Sequence, residues 1–321
     1  MPDTSPTKRF CPYLGAETDA EFSPDHIFPE MIGGKRDFMI EVSKERNSHL
    51  GSMIEQPGFD NFLFRAMRQS CGIKGKKGGI PNTVIEGEVT NASTLGLKYK
   101  LTKQSDGSIL HELGNVKHSK MVDIPLEDGS GTLVEEVTVY EMGDDHRTFD
   151  RIMDAVSKRG QEITEVTEAI FHPEVNAIQE INLLRVQQSL AKILFGAACK
   201  WLEGYSQNDT QAKLLREFIF ADDVEAAQSV LDDGLNCRAF AVPFKFIVPV
   251  GECQHSVVLS SSGKEILGSA SVFGTEPWNF TCVVSNDSAA YGWSHQKVMM
   301  AFCDPGSSKT EIRLLEPEAQ P

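Results

Sequence analysis

Hydrophobic and polar positions change character near Pro81. Before it, Phe59, Phe62, Leu63, Ala66 and Met67 recur at helical spacing and predict a short amphipathic helix. Gly72, Gly75, Gly78 and Gly79, followed by Pro81, stop that helix in a glycine-rich loop. Beyond it, Thr83–Thr90, Leu95–Thr102 and Thr132–Met142 carry β-branched residues in partial alternation and predict strands. The segment Glu174–Glu203 predicts one long helix, with Ile178, Ile181, Leu184, Leu190, Ile193, Leu194 and Ala197 on its apolar stripe and Gly204 closing it. Shorter helices are predicted over Thr210–Phe220 and Asp222–Asp232. Strands follow over Ala241–Val248, His255–Leu259, Glu265–Phe273 and Phe280–Val284. These elements predict an α+β fold in two domains. Residues 1–81 form a small one, and residues 82–321 form a larger mixed one around the long helix, with a tail fraying from about Glu316.

Composition narrows the setting. With 40% hydrophobic and 24% charged residues, the chain is of ordinary globular type. No apolar run of membrane-spanning length occurs, and the polar stretch Met1–Arg9 has no apolar segment behind it, so neither a membrane span nor a secretory signal is expected. Seven scattered cysteines do not suggest a disulfide framework, and a reducing cytoplasm is the expected compartment. The net charge of −15 repels nucleic acid on average, so contact with it requires a local basic patch. Residues 61–82 contain no Asp or Glu and carry Arg65, Arg68, Lys74, Lys76 and Lys77, which is such a patch; its bland alternative is a solvated basic face.

Candidate chemistry concentrates in Asp25-His26-Ile27-Phe28-Pro29, followed by Gly33-Gly34. Phosphodiester hydrolysis needs a divalent cation against the phosphate and a base to activate water. Histidine titrates near working pH and suits the base; an adjacent carboxylate suits a hard cation such as Mg²⁺. Neighbours on a strand point to opposite faces, so a bend at the strand end is needed to aim both at one phosphate. Pro29 and the Gly33-Gly34 pair suit a chain that turns sharply there.

These residues resemble the start of the ββα-metal motif of HNH endonucleases, and the resemblance covers roughly the first quarter of the chain. Val42-Ser43-Lys44-Glu45-Arg46-Asn47-Ser48-His49-Leu50-Gly51 stands where that family has its second strand and helix. Gly72 to Gly78 is similar to a basic glycine-rich run in one bacterial branch, and Leu267 to Gly274 resembles the same branch more faintly. The resemblance implies a small ββα-metal unit, with His26 as general base and Asp25 and Asn47 as ligands of Mg²⁺ or Mn²⁺. His49 is the substitute ligand for another helix register, and Asp37 lies in the interval of a residue that orients the base. Many relatives also hold structural zinc on two Cys-x-x-Cys pairs. Here Cys11 is retained while Leu14, Ser43 and Arg46 stand at the other positions, so no structural zinc is expected. Either Phe10, Tyr13, Leu14, Phe22, Phe28 and Val42 fill that space by packing, or the motif is decaying.

The expected function is therefore metal-dependent hydrolysis of DNA phosphodiesters, with DNA favoured over RNA. The larger domain is available for a regulator or a second stretch of substrate. The alternative is a catalytically inactive HNH-like protein that binds nucleic acid or another partner. Elsewhere the bland readings stand. His255 is expected as a core or edge histidine, Cys199 and Cys282 as small hydrophobes, and Trp201, Trp278 and Trp293 as packing residues. Cys71 shows no mark of a nucleophile apart from its basic surroundings, and Asp144, Asp145 and His146 read as an exposed turn rather than a metal site.

Overall fold

The computed structural model describes residues 8–75, 78–91, 96–114, 117–125, 131–140, 147–159, 165–167, 172–237, 251, 253–274, 278–293 and 296–316. The expected strand Ala241–Val248, the turn Asp144–His146, Lys76, Lys77 and the tail beyond Glu316 lie outside them. The fold is α+β, in two compact units: residues 1–81 together with 181–321, and residues 82–180. This differs from the expected division at Pro81. That point is where the second unit begins, but the residues before it share a core with the C-terminal part of the chain.

In chain order, the first unit opens with β1 (Arg9–Cys11) and β2 (Ala16–Thr18), then β3 (Phe22–His26) and β4 (Met39–Ser43), each pair antiparallel. The chain then stays helical from Lys44 to Phe59. It passes through α1 (Lys44–His49), a π-helical stretch Leu50–Glu55 and α2 (Gln56–Phe59). Helix α3 (Phe62–Ser70) follows, its start fixed by Asn61 Oδ1 accepting from the N–H groups of Leu63 and Phe64.

The second unit holds β5 (Thr83–Val89), β6 (Lys98–Lys103), β7 (Ile109–Gly114), β8 (Lys117–Pro125), β9 (Gly131–Val139), α4 (Arg147–Lys158) and β10 (Val175–Asn176). Its four-stranded sheet runs β10-β5-β6-β7, and β8 pairs with β9 as a separate hairpin. Strand β10 shortens the predicted long helix: residues Val175 and Asn176 pair with Val89 and Glu88, and the helix starts only after Asn182, whose side chain caps it.

The chain returns to the first unit with α5 (Leu183–Trp201), α6 (Tyr205–Asn208), α7 (Thr210–Ile219) and α8 (Val224–Asp232). It ends with β11 (His255–Ser262), β12 (Glu265–Ser271), β13 (Asn279–Ser285), β14 (Val298–Cys303) and β15 (Glu311–Leu315). These five strands form one antiparallel sheet in the order β13-β12-β11-β14-β15. Helix α5 packs on β11, β12 and β13, and also on β4 and α2, so it is buried on nearly every side. Its polar members are satisfied there. Gln188 Nε2 donates to the carbonyls of Phe218 and Ala221, and Ser189 Oγ donates to that of Arg185. Close approach sets one requirement: a Cβ on Gly58 would lie 2.4 Å from Ser189 Oγ, so α2 and α5 meet at their backbones. Trp293 is buried, and Trp201 and Trp278 pack against the core. Among the described residues no helix is long and apolar enough to cross a membrane.

One disulfide departs from the cysteine expectation. Cys71, just after α3, is bonded to Cys253, just before β11, at a sequence separation of 182. It ties together the two stretches of chain that build the first unit. The spacing arises from the intervening chain, so counting cysteines could not reveal it. Closing a loop this long removes chain entropy worth about 5 kcal/mol from the unfolded state. Cys71→Ser, or reduction of the wild type, is expected to lower the thermal midpoint of the first unit by roughly 10–20 °C. Calorimetry with and without reductant measures this, and an unchanged midpoint would mean the bond closes no loop that matters to stability.

Candidate functional site

Strand β3 carries the motif residues, and its register with β4 decides where they point. Asp25 pairs with Ile40, and His26 with Met39 at the end of the hairpin. Alternation along the strand sends Asp25 inward and leaves His26 half-exposed. The chain then turns sharply, as Pro29 and the two glycines led one to expect. The Pro29 carbonyl accepts from the N–H groups of Ile32 and Gly34, and Gly33 adopts a φ of 96°. Gly34 admits no side chain, because a Cβ there would meet the Phe28 carbonyl oxygen at 1.6 Å.

Asp25 is 4% exposed and faces a lysine that sequence reasoning missed. The Lys192 ammonium, from the middle of α5 and 0% exposed, lies 2.9 Å from Asp25 Oδ1 and 2.8 Å from Glu55 Oε1. It also donates to the main-chain carbonyl of His26. Three oxygens thus face the three donors of one buried cation. Tyr13 Oη donates to the other Asp25 oxygen at 3.3 Å. Burial pushes the Asp25 carboxyl up to about 6, against the opposing pull of Lys192. Burial pulls the Lys192 ammonium down, yet Asp25 and Glu55 outweigh it and hold its pKa above the ordinary lysine value. One signal was present in the sequence: a lone charge within Leu190-Ala191-Lys192-Ile193-Leu194, on the apolar stripe of a helix, must find a partner when buried.

Asn47 lies on α1 and is also engaged. Its Nδ2 donates to Ser23 Oγ and to the Pro24 carbonyl, each at 3.0 Å. Ser23 and Asp25 are two apart on β3 and share a face, so Asp25 and Asn47 come to the same side of the hairpin. His26, the next residue, alternates off that face and stays half-exposed, although the charges of Glu30, Lys192 and Glu55 still reach it. Burial lowers the His26 pKa, so its imidazole is neutral at pH 7. His49 stacks edge-on against Phe220 with ring centroids 5.6 Å apart. Asp37 Oδ2 accepts from the Thr310 N–H at 2.9 Å, an arrangement that fastens the turn rather than orienting His26.

The Asp25 carboxylate does not fit a divalent cation as it stands, because it already faces the Lys192 ammonium at 2.9 Å. Asn47 is held to the strand through Nδ2, not through the Oδ1 that would meet a metal. Among the described residues no group of three or more His, Cys, Asp or Glu side chains gathers as a metal would require. Around Cys11 the chain closes on itself: Cys11 Sγ donates to Ser43 Oγ at 3.4 Å, and the Ser43 N–H donates to Cys11 Sγ at 3.3 Å. Tyr13, Phe28 and Val42 are buried nearby as expected of packing residues, but Leu14 is exposed. The knuckle is instead clamped by Arg216, which donates to the Pro12 carbonyl at 2.8 Å.

Of the expected basic patch, the two arginines are engaged by an acidic residue, and Lys76 and Lys77 lie outside the described residues. Arg65 makes a paired contact to Asp60 through Nε and Nη2, at 2.9 and 3.0 Å. Arg68 is buried, 3.8 Å from the same carboxylate. Asp60 sits one residue before the acid-free window, so the window concealed its partner. Lys74 remains exposed.

His255 is the buried core histidine the sequence suggested. Its Nε2 lies 2.7 Å from the Ile32 carbonyl as donor, and its Nδ1 accepts from the Phe273 N–H at 3.0 Å. Both bonds suit the neutral ring, and burial pulls its pKa down to about 4.

Two perturbations follow from this geometry. Lys192→Met leaves two carboxylates buried without their cation and is expected to destabilise the protein by about 3–5 kcal/mol, the usual range for removing one partner of a buried pair. A urea midpoint close to that of the wild type would refute it. The depressed His255 pKa contributes stability that is fully present above about pH 6.5 and is lost as pH falls towards 4. Asp25 works in the opposite sense: its raised pKa contributes most below about pH 4, and that contribution is lost as pH rises through 6. Urea midpoints measured from pH 4 to 7 should therefore rise less steeply with pH in His255→Gln than in the wild type, and more steeply in Asp25→Asn. Parallel profiles in all three would remove both groups from the account. No protein-family model, curated protein or solved structure matches this chain, so its functional reading rests on the geometry of the site itself.

Proposed function

We propose that this chain is a catalytically silent interaction protein. It keeps the hairpin-and-helix arrangement of an HNH unit and uses the motif's ligand residues as structural fasteners. The observation that carries this reading is the Lys192 ammonium against Asp25, a permanent protein cation where a nuclease would place its metal. The pairing of Arg65 with Asp60 and the net charge of −15 favour a protein partner over DNA or RNA. A cytoplasmic setting belongs to the same proposal, and its counterweight is the Cys71–Cys253 disulfide, since such bonds are rare in reducing compartments.

One observation favours the second reading, an HNH-type endonuclease acting on DNA with Mg²⁺ or Mn²⁺. His26 is half-exposed at a strand end with a neutral imidazole, as a general base needs to be.

Plasmid nicking separates the two. Wild type titrated with Mg²⁺ and Mn²⁺ is expected to leave supercoiled DNA intact and to show no heat of Mn²⁺ binding that depends on Asp25. Nicking that His26→Ala reduces by roughly 10²–10⁴-fold would instead establish the nuclease. Nicking that persists equally in Asp25→Ala and His26→Ala would defeat both assignments of this motif.

A further inference from the structure

Helix α8 ends in a turn at Gly234, whose φ is 113°, and the chain then runs through Asn236 and Cys237 beside strand β13. Strand β13 is an edge of the five-stranded sheet. Cys237 stands directly opposite Cys282 in an antiparallel bridge, and both are free thiols. The neighbouring hydrogen bond fixes the type of pair: the Val283 N–H donates to the Asn236 carbonyl at 3.0 Å. A bond between the residue after one partner and the residue before the other marks a pair that exchanges no main-chain hydrogen bonds between its own members. Such pairs are the closer kind, with Cα atoms about 4.5 Å apart and both side chains on one face. Disulfides span Cα separations of about 4.4–6.8 Å, so the backbone already meets the requirement for a covalent link. Cys237 is exposed and Cys282 is buried, which assigns their order of reaction.

We propose that Cys237 and Cys282 are a redox-active dithiol, oxidised by a small-molecule disulfide to an intramolecular cross-strand bond. Cys237 loses its proton and attacks one sulfur of the disulfide RSSR, forming a Cys237–S–S–R bond and expelling RS⁻, which takes up that proton. Cys282 then loses its proton and attacks Cys237 Sγ, expelling the second RS⁻, which is protonated in turn. Two protein S–H bonds and one S–S bond are consumed, and one protein S–S bond and two RSH are produced. The protein gives up two electrons and the small disulfide accepts them. The product would fasten the exit of α8 covalently to β13, beside the Val283–Asn236 hydrogen bond. Cys237 is exposed as a residue, but the partial burial of its thiol pushes its pKa up to about 11, so exchange is slow at neutral pH and accelerates as pH rises. The other free cysteines face different partners: Cys11 meets Ser43, Cys199 meets Ser206, and Cys303 Sγ lies 3.5 Å from the Gly33 carbonyl.

The test incubates the full chain with oxidised glutathione at pH 7, 8 and 9, then alkylates remaining thiols and maps peptides without reduction. Wild type is expected to give a Cys237–Cys282 link and no lasting glutathione adduct, about tenfold faster per pH unit while Cys237 remains mostly protonated. Cys282→Ala should accumulate the Cys237–glutathione adduct, because the resolving thiol is gone. Cys237→Ser should leave Cys282 as a free thiol. A urea unfolding midpoint close to that of the wild type reports that each variant is folded. A lasting Cys237 adduct in wild type, equal to that in Cys282→Ala, would overturn the proposal. So would a Cys237 that stays unmodified at pH 9 while urea-unfolded chain reacts.

Discussion

A single buried ammonium organises the first unit. Lys192 has no access to water, and an isolated charge in such a place costs far more than a folded domain can spare. It is tolerated because Asp25, Glu55 and the His26 carbonyl surround it. Those partners come from β3 and from the end of the π-helical stretch, both in the N-terminal part of the chain, whereas the lysine comes from the long helix far downstream. The pairing therefore specifies which face of α5 receives the hairpin. Its net contribution to stability is small beside that of the surrounding aliphatic packing, since desolvation offsets much of the attraction.

This arrangement also explains the order of the chain. The hairpins and helices of residues 8–75 cannot bury Ile27, Phe28, Val42, Leu50 and Phe59 by themselves. They share one core with α5 and the five-stranded sheet, so the first unit is completed only after residues 82–180 have been laid down as a separate unit. The His255 ring joins the turn after β3 to the sheet, and the Cys71–Cys253 bond joins α3 to the chain entering β11. Each link crosses between the N-terminal and C-terminal parts of that core.

Chemically, the motif residues show how one set of side chains supports either catalysis or architecture. A carboxylate and an amide brought to one face of a hairpin are potential ligands for a hard cation. Here a lysine supplies positive charge to the carboxylate from within the protein, and a backbone carbonyl accepts from the amide N–H. The turn around Cys11 is held by the Ser43 hydroxyl and by an arginine clamp from Arg216.

What the sequence determined by itself was local. The turn at Pro29 and Gly33-Gly34, the helical spacing in α5, α7 and α8, and the strand-forming runs of β11 to β13 depend on neighbours a few residues apart, and local pattern records them. Strands β14 and β15 escaped notice, since Val298–Cys303 is a continuous apolar run and Glu311–Leu315 lies exposed at the sheet edge, so neither alternates cleanly. The identity of the motif residues was equally legible, but their roles were not. Asp25 reads as a metal ligand until Lys192, 167 positions later, is placed beside it. Arg65 reads as a phosphate contact until Asp60 is seen to hold it. Whether a charged side chain is available to a ligand depends on which opposite charge the tertiary fold delivers to it. Ion pairing acts through space at a few ångströms, and no periodicity along the chain encodes that distance.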